Sequence, residues 1–409
     1  MSDATETAPF PLPSEKSPPV IALGGAPLVL LLFVAATHFV VDAVAGMLNP
    51  LWPALESHYA LQGSAIFLLY SLWTLSTSIC QLFFGYLGDR FHSRWLFWLG
   101  PAAAAACLGC VGLTHSPWIL AALLAISGLG IAAYHPEAAA LAGNCAPAHR
   151  SRAMSLFSMG GFLGQAAGPT ASGWVVDNYG LRGLSGEIAF GLIALALLWV
   201  GLRGAKGETE TAHVPSQPLR DVFAGRIAVT LLVLAIGSLR IVAASGVPLG
   251  LAYLLKARHG SYAEIGSVQS AFMFGIGAGG LACALFIGKH LERLTLWLLP
   301  LLVAPVIVAM PLIDGATLLA AAGMSGLLIG VGLPVLISYG QQLLPGSQRV
   351  ASSLTMGVSW GVGGAIVAGI MAVCDELRAF DAPFTVFAIA AGLSAVLCYW
   401  LPPPRTERT

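Results

Sequence analysis

Five ionisable residues interrupt apolar stretches that are long enough to cross a membrane: His38, Asp42, His135, Glu137 and Arg240. Placing an ionisable side chain in hydrocarbon costs roughly 2.5 to 3.5 kcal/mol on insertion scales. Such residues are therefore kept mainly where they face a partner or a water-filled cavity. We interpret the five residues as the lining of a transport path.

His38 and Asp42 are four residues apart, so a helix would place both side chains on one face. Burial favours a neutral carboxyl group, whereas a neighbouring imidazolium favours the carboxylate. The pair could therefore take up or release a proton in the working pH range, as a proton-coupling site must. Alternatively, it is a structural polar pair that holds helices together.

Tyr134, His135, Pro136 and Glu137 form a second group. Pro136 removes a backbone donor and frees carbonyl groups, which is tolerated in a membrane helix beside protein or water. We expect Glu137 to be a protonatable carboxylate, with His135 as its neighbour or as a substrate ligand and Tyr134 as a substrate contact. Alternatively, Glu137 lies near enough to the membrane surface to act only as a gate.

Arg240 stays charged in any surroundings, so it must be paired or must await an anion. It could bind a phosphonate, phosphate or carboxylate through two N–H groups, or it could neutralise Asp42 or Glu137. Further candidates for substrate contacts are polar or aromatic residues on helices expected near the centre: Asn49, Gln165, Tyr339, Gln341 and Trp360.

The elements that must position these residues are membrane-spanning helices. The chain has 409 residues, of which 57% are hydrophobic and 9% charged, and apolar runs of roughly 20 residues, the length of one crossing, recur along it. An all-α membrane protein with twelve transmembrane helices is predicted. The predicted helices cover 27–50, 64–87, 95–113, 117–142, 153–176, 187–203, 226–252, 264–288, 294–313, 315–341, 349–373 and 382–401.

Most of the 19 Lys and Arg residues fall on the side of the chain termini, and only Arg182, Lys256, Arg258 and Arg378 fall in loops on the opposite side. Short cytoplasmic loops carry such an excess of basic residues. Both termini are therefore predicted in the cytoplasm, and the protein in the cytoplasmic (inner) membrane. The net charge of zero gives no support for binding nucleic acid.

The longest polar connection, 203–221, divides the chain into two similar halves. Segments 83–91 and 285–293 are alike, as are 152–164 and 349–361, which indicates a parallel repeat. Such repeats place a substrate site between the halves near mid-membrane. His38 and Arg240 occupy corresponding positions on the first helices of their halves, and these two helices would face one another across a central cavity. The predicted units are a disordered cytoplasmic tail (1–25), an N-terminal six-helix bundle (26–203), a cytoplasmic linker (204–225), a C-terminal six-helix bundle (226–401) and a cytoplasmic tail (402–409).

Several strings resemble the major facilitator superfamily. "GYLGDRFHSR" (85–94) is similar to its signature loop between the second and third helices, and "GGFLGQAAGPTASGW" (160–174) to the glycine-rich fifth helix of its antiporters. "THFVVDAVAGMLNP" (37–50), "YHPEAAALA" (134–142) and "YGQQLLPGSQRVASSLTMGVSWGVGGA" (339–365) resemble its fosmidomycin-resistance branch. The resemblance implies two pseudo-symmetric six-helix bundles and proton-coupled export of small, often anionic or drug-like molecules.

Charged residues at the ends of predicted helices are candidates for a cytoplasmic gate: Asp89, Arg90, Arg152 and Arg349. Asp89 could pair with an Arg or with a helix terminus when that side is closed and lose the partner when it opens. Alternatively, the arginines only anchor cytoplasmic loops.

No cofactor and no resident metal are expected. No glycine-rich run lies between a strand and a helix, so an ATP-driven pump is unsupported. The seven cysteines lie almost entirely in apolar segments at spacings that suggest neither disulfides nor a zinc site. The expected partners are a small-molecule substrate, protons and the lipid bilayer, and a bundle that encloses its own path is expected to be monomeric.

Three functions remain open at this point. The first is a secondary transporter that exports a small organic molecule in exchange for protons. The second is an importer of a nutrient, siderophore or metal complex on the same fold, since His38, His135 and Asp42 could also coordinate a metal. The third, an intramembrane hydrolase, lacks a nucleophile motif.

Overall fold

The computed structural model describes residues 26–91, 95–146, 150–204, 225–343 and 353–402. In these ranges the chain forms helices and connecting turns, with no β-strand. The α-helices are α1 (Ala26–Met47), α2 (Trp52–His58), α3 (Ala65–Ser78), α4 (Cys80–Phe91), α5 (Trp95–Gly109), α6 (Pro117–Asn144), α7 (Arg150–Tyr179), α8 (Glu187–Gly204), α9 (Ile227–Ala257), α10 (Tyr262–Phe286), α11 (Glu292–Ala309), α12 (Gly315–Leu343), α13 (Ser359–Glu376) and α14 (Ala382–Leu397).

Ten segments within the described ranges are long and apolar enough to cross a membrane. The other two crossings are α5, whose apolar part is shorter, and α7, which is rich in Gly and Ser. That composition suits the packing of α7, which contacts the helices α1, α6 and α10 rather than only lipid. Twelve crossings place both ends of the bundle on one face, the terminal face, and the opposite face is called the distal face here.

Three boundaries differ from the predicted ones. The predicted helix 64–87 is interrupted at Ile79, between α3 and α4. Near this break Thr77 Oγ1 donates to the carbonyl of Trp73 and Gln81 Nε2 to that of Thr77, so side chains compete for helix acceptors. The predicted helix 27–50 ends at Met47 and continues through a 3₁₀ turn into α2. The predicted eleventh helix begins, within the described residues, as a π-helix over Ser353–Val358.

Helices α1–α8 form the N-terminal half and α9–α14 the C-terminal half. The halves meet along two seams, α7 against α10 and α3 against α13, and at the distal face, where α9 contacts α2. The first seam is close: a Cβ on Gly173 would lie 2.1 Å from the carbonyl oxygen of Tyr262. The predicted arrangement of two six-helix bundles is confirmed. The predicted tails and most of the linker lie outside the described residues.

Glycines also bring α7 onto α1 inside the N-terminal half. A Cβ on Gly160 or on Gly164 would lie 2.3 or 2.2 Å from the carbonyl oxygen of Ala35 or Phe39, respectively. A side chain at either position would separate the helices, so the glycines permit direct backbone contact. This packing presses the face of α1 that carries His38 and Asp42 against α7.

Candidate functional site

The Asp42 carboxylate lies between two imidazole rings. Its Oδ1 is 3.0 Å from His135 Nε2 and its Oδ2 is 3.4 Å from His38 Nε2. The side chains of Asp42 and His38 are 7% and 8% exposed and that of His135 21%, so the cluster meets accessible space at His135. We call these three residues the His–Asp–His cluster.

Both imidazole rings are oriented by backbone carbonyl groups. His38 Nδ1 lies 2.8 Å from the carbonyl oxygen of Phe157, and its ring stacks on the Phe157 ring at 4.0 Å. His135 Nδ1 lies 2.8 Å from the carbonyl oxygen of Ile131. Because a carbonyl oxygen can only accept, both Nδ1 atoms carry hydrogen. Both Nε2 atoms therefore face the carboxylate.

This geometry gives the cluster room for exchangeable protons. With no proton on either Nε2 or on the carboxylate, lone pairs of nitrogen and oxygen oppose each other at both contacts. One proton converts one contact into a charge-assisted hydrogen bond, and a second converts the other. The cluster can thus hold up to two protons, one for each contact between an imidazole and the carboxylate.

Helix α7 supplies the third wall of the cluster. Gln165 Nε2 donates to Asp42 Oδ2 at 3.3 Å, so the predicted substrate contact at Gln165 is in this structure a partner of the carboxylate. Gly161 leaves the space that the rings need, because a Cβ there would lie 2.4 Å from His38 Cε1 and 2.8 Å from Asp42 Oδ2.

Tyr134 and Glu137 flank His135 on α6. Tyr134 is 0% exposed, stacks on Phe97 and donates its hydroxyl hydrogen to the carbonyl of Val34 at 3.4 Å. It therefore braces α6 against α1 and α5 and offers no surface to a substrate in this structure. Glu137 is half-buried directly after Pro136, which faces Gly85 of α4. Its role in proton coupling stays a prediction.

Arg240 lies away from the cluster, within the packing of the C-terminal half. Its guanidinium donates to the carbonyl oxygens of Leu296 on α11 and Gly332 on α12 and lies 3.8 Å from Cys398 Sγ. Of the roles left open for Arg240, neutralisation of Asp42 is not met in this structure, where the guanidinium is bonded to carbonyl groups of its own half. The repeat assigned Arg240 to the first helix of the C-terminal half but could not give the direction of its side chain.

A proline explains where the guanidinium goes. In a helix the carbonyl of Leu296 would accept from the N–H of residue 300, but Pro300 has none. Arg240 supplies the missing donor. The space beside it is about 20 Å³ and is lined otherwise by apolar side chains. That is room for roughly one water molecule, and a phosphonate does not fit beside Arg240 in this structure. Anion binding by Arg240 stays a prediction.

Arg240→Met should lower the free energy of unfolding by about 1 to 3 kcal/mol, because the carbonyl of Leu296 is left buried without a donor. In a Pro300→Ala background the new N–H can bond to that carbonyl, so Arg240→Met should cost less. Thermal unfolding in detergent measures both costs. Pro305→Ala, on the same helix, is the matched control and should leave the cost unchanged. Equal costs in all three backgrounds would contradict this role of Arg240.

The other predicted substrate contacts are dispersed. Tyr339 is fully buried and donates to the carbonyl of Pro402 at 2.7 Å, so it anchors the residues that follow the last helix. Asn49 lies at the contact between the halves, where its carbonyl accepts from Gln269 Nε2 at 3.4 Å. Gln341 and Trp360 are half-buried on α12 and α13. Substrate binding by these residues stays a prediction.

The predicted gate falls mostly beyond the described part of the chain. Asp89 and Arg90 belong to α4 and Arg152 to α7, but their side chains lie outside the described residues, as does the whole of Arg349. Gating by these four residues therefore stays a prediction.

Sequence reasoning missed Gln269, which is 0% exposed on α10. Its Nε2 also donates to the carbonyl of Pro248 at 2.7 Å, while its Oε1 has no hydrogen-bond partner among the described residues. Gln269 thus joins α10 to α9 and to the end of α1 near the distal face. The available signal was a carboxamide inside the predicted membrane-spanning segment 264–288.

Comparison with known proteins agrees with this architecture. The family model described as Major Facilitator Superfamily matches residues 34–249, more than half of the chain. The chain belongs to the Major Facilitator Superfamily. A solved structure of a mutant of the nucleoside transporter NupG superposes with a TM-score of 0.72, at 12% identity, and covers 91% of this chain and 99% of that one. At that identity the likeness concerns the fold alone.

Two relatives extend the match over most of the chain. The fosmidomycin resistance protein of Escherichia coli (strain K12) is 24% identical over 348 residues, 83% of this chain and 85% of the relative. The uncharacterized MFS-type transporter YfnC of Bacillus subtilis (strain 168) is 23% identical over 356 residues, 84% and 86% of the two chains. The resemblance to a fosmidomycin-resistance-like member of the Major Facilitator Superfamily is confirmed. The chain is an integral membrane transporter, in a superfamily of transporters rather than enzymes.

Proposed function

We propose that this protein is a proton-coupled antiporter that exports a small organic molecule, of anionic or drug-like character, by alternating access. The observation that carries the proposal is the buried His–Asp–His cluster, in which two oriented imidazoles share one carboxylate. The name of the Escherichia coli relative supports export of a drug-like molecule. The predicted units, cytoplasmic termini, inner-membrane location and monomeric state belong to the same proposal.

The cluster lies deep in the bundle. Asp42 is the seventeenth residue of α1, and His135 the nineteenth of the 28 residues of α6. At about 1.5 Å per residue, Asp42 lies more than about 20 Å from the first residue of α1, and His135 lies as far from the first residue of α6. A proton that reaches this depth must come through water admitted from one face at a time, which is the requirement for coupling in a carrier.

Protons change the charge of the cluster from −1 with none bound to +1 with two. A change of two charges in a low-dielectric site alters the relative stability of conformations that solvate the cluster differently. In the proposed cycle, protons load the cluster while it is open to the distal face and leave at the terminal face. Substrate binds while the site is open to the terminal face and leaves while it is open to the distal face.

The sign of an imposed pH gradient tests the antiport. Purified protein in proteoliposomes should accumulate the substrate when the lumen is acidic, because protons that leave drive substrate in. A protonophore should abolish the accumulation. Phosphonates and other small anions are the first substrates to screen. Accumulation only with an acidic exterior would identify a symporter and would overturn export by antiport.

An importer of a nutrient, siderophore or metal complex is the second candidate. One observation favours it: the donor atoms of His38, Asp42 and His135 lie within 4.8 Å of one another, a spacing that suits a divalent cation as well as protons. Metal-dependent growth of a deletion strain, with unchanged drug tolerance, would favour import. Altered drug tolerance with unchanged metal dependence would favour export.

A further inference from the structure

The Asp177 carboxylate, near the end of α7, accepts two backbone hydrogen bonds from the opposite half of the molecule. Its Oδ1 lies 3.0 Å from the amide nitrogen of Tyr262 and its Oδ2 2.8 Å from that of Ala263. These two N–H groups begin α10 in the C-terminal half. One side chain of the N-terminal half thus caps a helix of the other half at the distal face.

The capping contact is favourable for two physical reasons. The first N–H groups of a helix have no partner within the helix, and the positive end of the helix dipole attracts an anion. The Ser261 hydroxyl accepts from the amide of Glu264 at 3.1 Å, so Asp177 completes a cap that the local sequence covers only in part. The two bonds exist only while the distal ends of α7 and α10 are together.

The seam below Asp177 is continuous toward mid-membrane. Thr170 Oγ1 donates to Ser270 Oγ at 2.7 Å, and a Cβ on Gly266 would lie 2.1 Å from the carbonyl of Pro169. We call Asp177, its two amide partners and the Thr170–Ser270 pair the distal latch. These contacts hold the distal parts of α7 and α10 together across the two halves.

Helix α7 also joins the latch to the cluster. Gln165, which donates to Asp42, is twelve residues before Asp177 on the same helix, about 18 Å at 1.5 Å per residue. A proton on Asp42 weakens the acceptor that Gln165 uses. A change in the hydrogen bond between Gln165 and Asp42 therefore acts on α7, the helix that carries the latch.

We propose that Asp177 is a positioning residue of the transport cycle: its cap on α10 holds the distal mouth shut, and each cycle requires this cap to break. The inference rests on alternating access in the proposed function, and it does not require that the coupled ion be a proton.

Spin labels test the latch directly. In a background without native cysteines, Asn178→Cys and Glu264→Cys place labels on exposed positions beside the latch, on α7 and α10. Asp177→Ala should raise the population with a long distance between the labels by roughly two- to fivefold, the range expected for loss of an exposed charge at a helix terminus. Asp177→Asn, which keeps one acceptor oxygen, should give a smaller rise.

Asp381→Ala is the matched control. Asp381 is also exposed on the distal face and precedes α14, but its side chain makes no capping hydrogen bond. The substitution Asp381→Ala removes the same charge without removing a contact between the halves, so the label distances should not change. An Asp177→Ala distribution identical to that of the control would overturn the latch.

A reversible crosslink tests the need for opening in a protein that keeps Asp177. Thr170→Cys with Ser270→Cys joins α7 to α10 on oxidation. Downhill substrate exchange in proteoliposomes should stop when the pair is oxidised and return on reduction. Undiminished exchange by the oxidised protein would overturn the proposal. Exchange that the crosslink blocks but that no pH gradient drives would retain the latch and reject proton coupling, so the two failures can be told apart.

Discussion

Asp42→Asn should abolish substrate accumulation driven by a pH gradient. An Asn side chain cannot take a proton at working pH, so neither imidazole retains an acidic partner with which to share one. A gradient of one pH unit stores about 1.4 kcal/mol per proton, enough for about tenfold accumulation with one proton and about 100-fold with two. The variant should accumulate no substrate above the external concentration.

Substrate exchange without a gradient is the readout that separates lost coupling from lost folding. The Asp42→Asn protein should still exchange labelled for unlabelled substrate across proteoliposome membranes. Asp314→Asn makes the same chemical change at an exposed position outside the cluster and should accumulate substrate as the unmodified protein does. Accumulation at the normal level by Asp42→Asn would contradict the assignment of the carboxylate.

Gly161→Ala should have the second-largest effect, although it adds one methyl group. That methyl would lie 2.4 Å from His38 Cε1 and 2.6 Å from His38 Nε2. The ring cannot easily move away, because it is stacked on Phe157 and bonded to the Phe157 carbonyl. We expect displacement of His38, loss of gradient-driven accumulation, and a loss of stability of about 1 to 3 kcal/mol from overpacking.

The control for Gly161→Ala is the same substitution at Gly392 on α14, where the added Cβ would meet no atom of a neighbouring helix within 4 Å in the described part of the chain. Alanine is favoured over glycine in a helix by up to about 1 kcal/mol, so Gly392→Ala should leave thermal unfolding unchanged or raise its temperature. We therefore expect the unfolding temperature to fall for Gly161→Ala and to stay unchanged or rise for Gly392→Ala. Equal shifts, with normal transport by Gly161→Ala, would show that the cluster tolerates the methyl group.

The fold was accessible from the sequence because hydropathy and the internal repeat are one-dimensional signals. Even α7, which is poor in long apolar side chains, was recognisable from its spaced glycines. The break at Ile79 was not, because no proline or glycine marks it. It coincides with Thr77 and Gln81 side chains that bond to backbone carbonyls, a choice that depends on the packing around them.

The site was predictable only where one helix determines it. A spacing of four residues places His38 beside Asp42 on any helix, and the structure has that contact. The contact of His135 with Asp42 depends on how α6 packs against α1, and the direction of both rings depends on the carbonyls of Phe157 and Ile131. Composition indicated these residues, but tertiary packing alone joins them.

Arg240 and Asp177 show the limits of sequence reasoning from opposite sides. Arg240 stood out as a buried charge and suggested an anion site, yet its guanidinium replaces the N–H that Pro300 lacks on another helix. Asp177 gave no signal, since an acidic residue at a helix end is common on any surface. Its importance comes from α10, which begins 85 residues later in the sequence.

Every described member of the His–Asp–His cluster, and the Gln165 amide beside it, comes from the N-terminal half. Under the proposed function, the proton-coupling residues thus lie in one half of the chain only. The C-terminal half can diversify its inward-facing side chains without disturbing the chemistry of proton capture. Exchange of C-terminal halves between relatives is therefore a proposed route to carriers of new specificity.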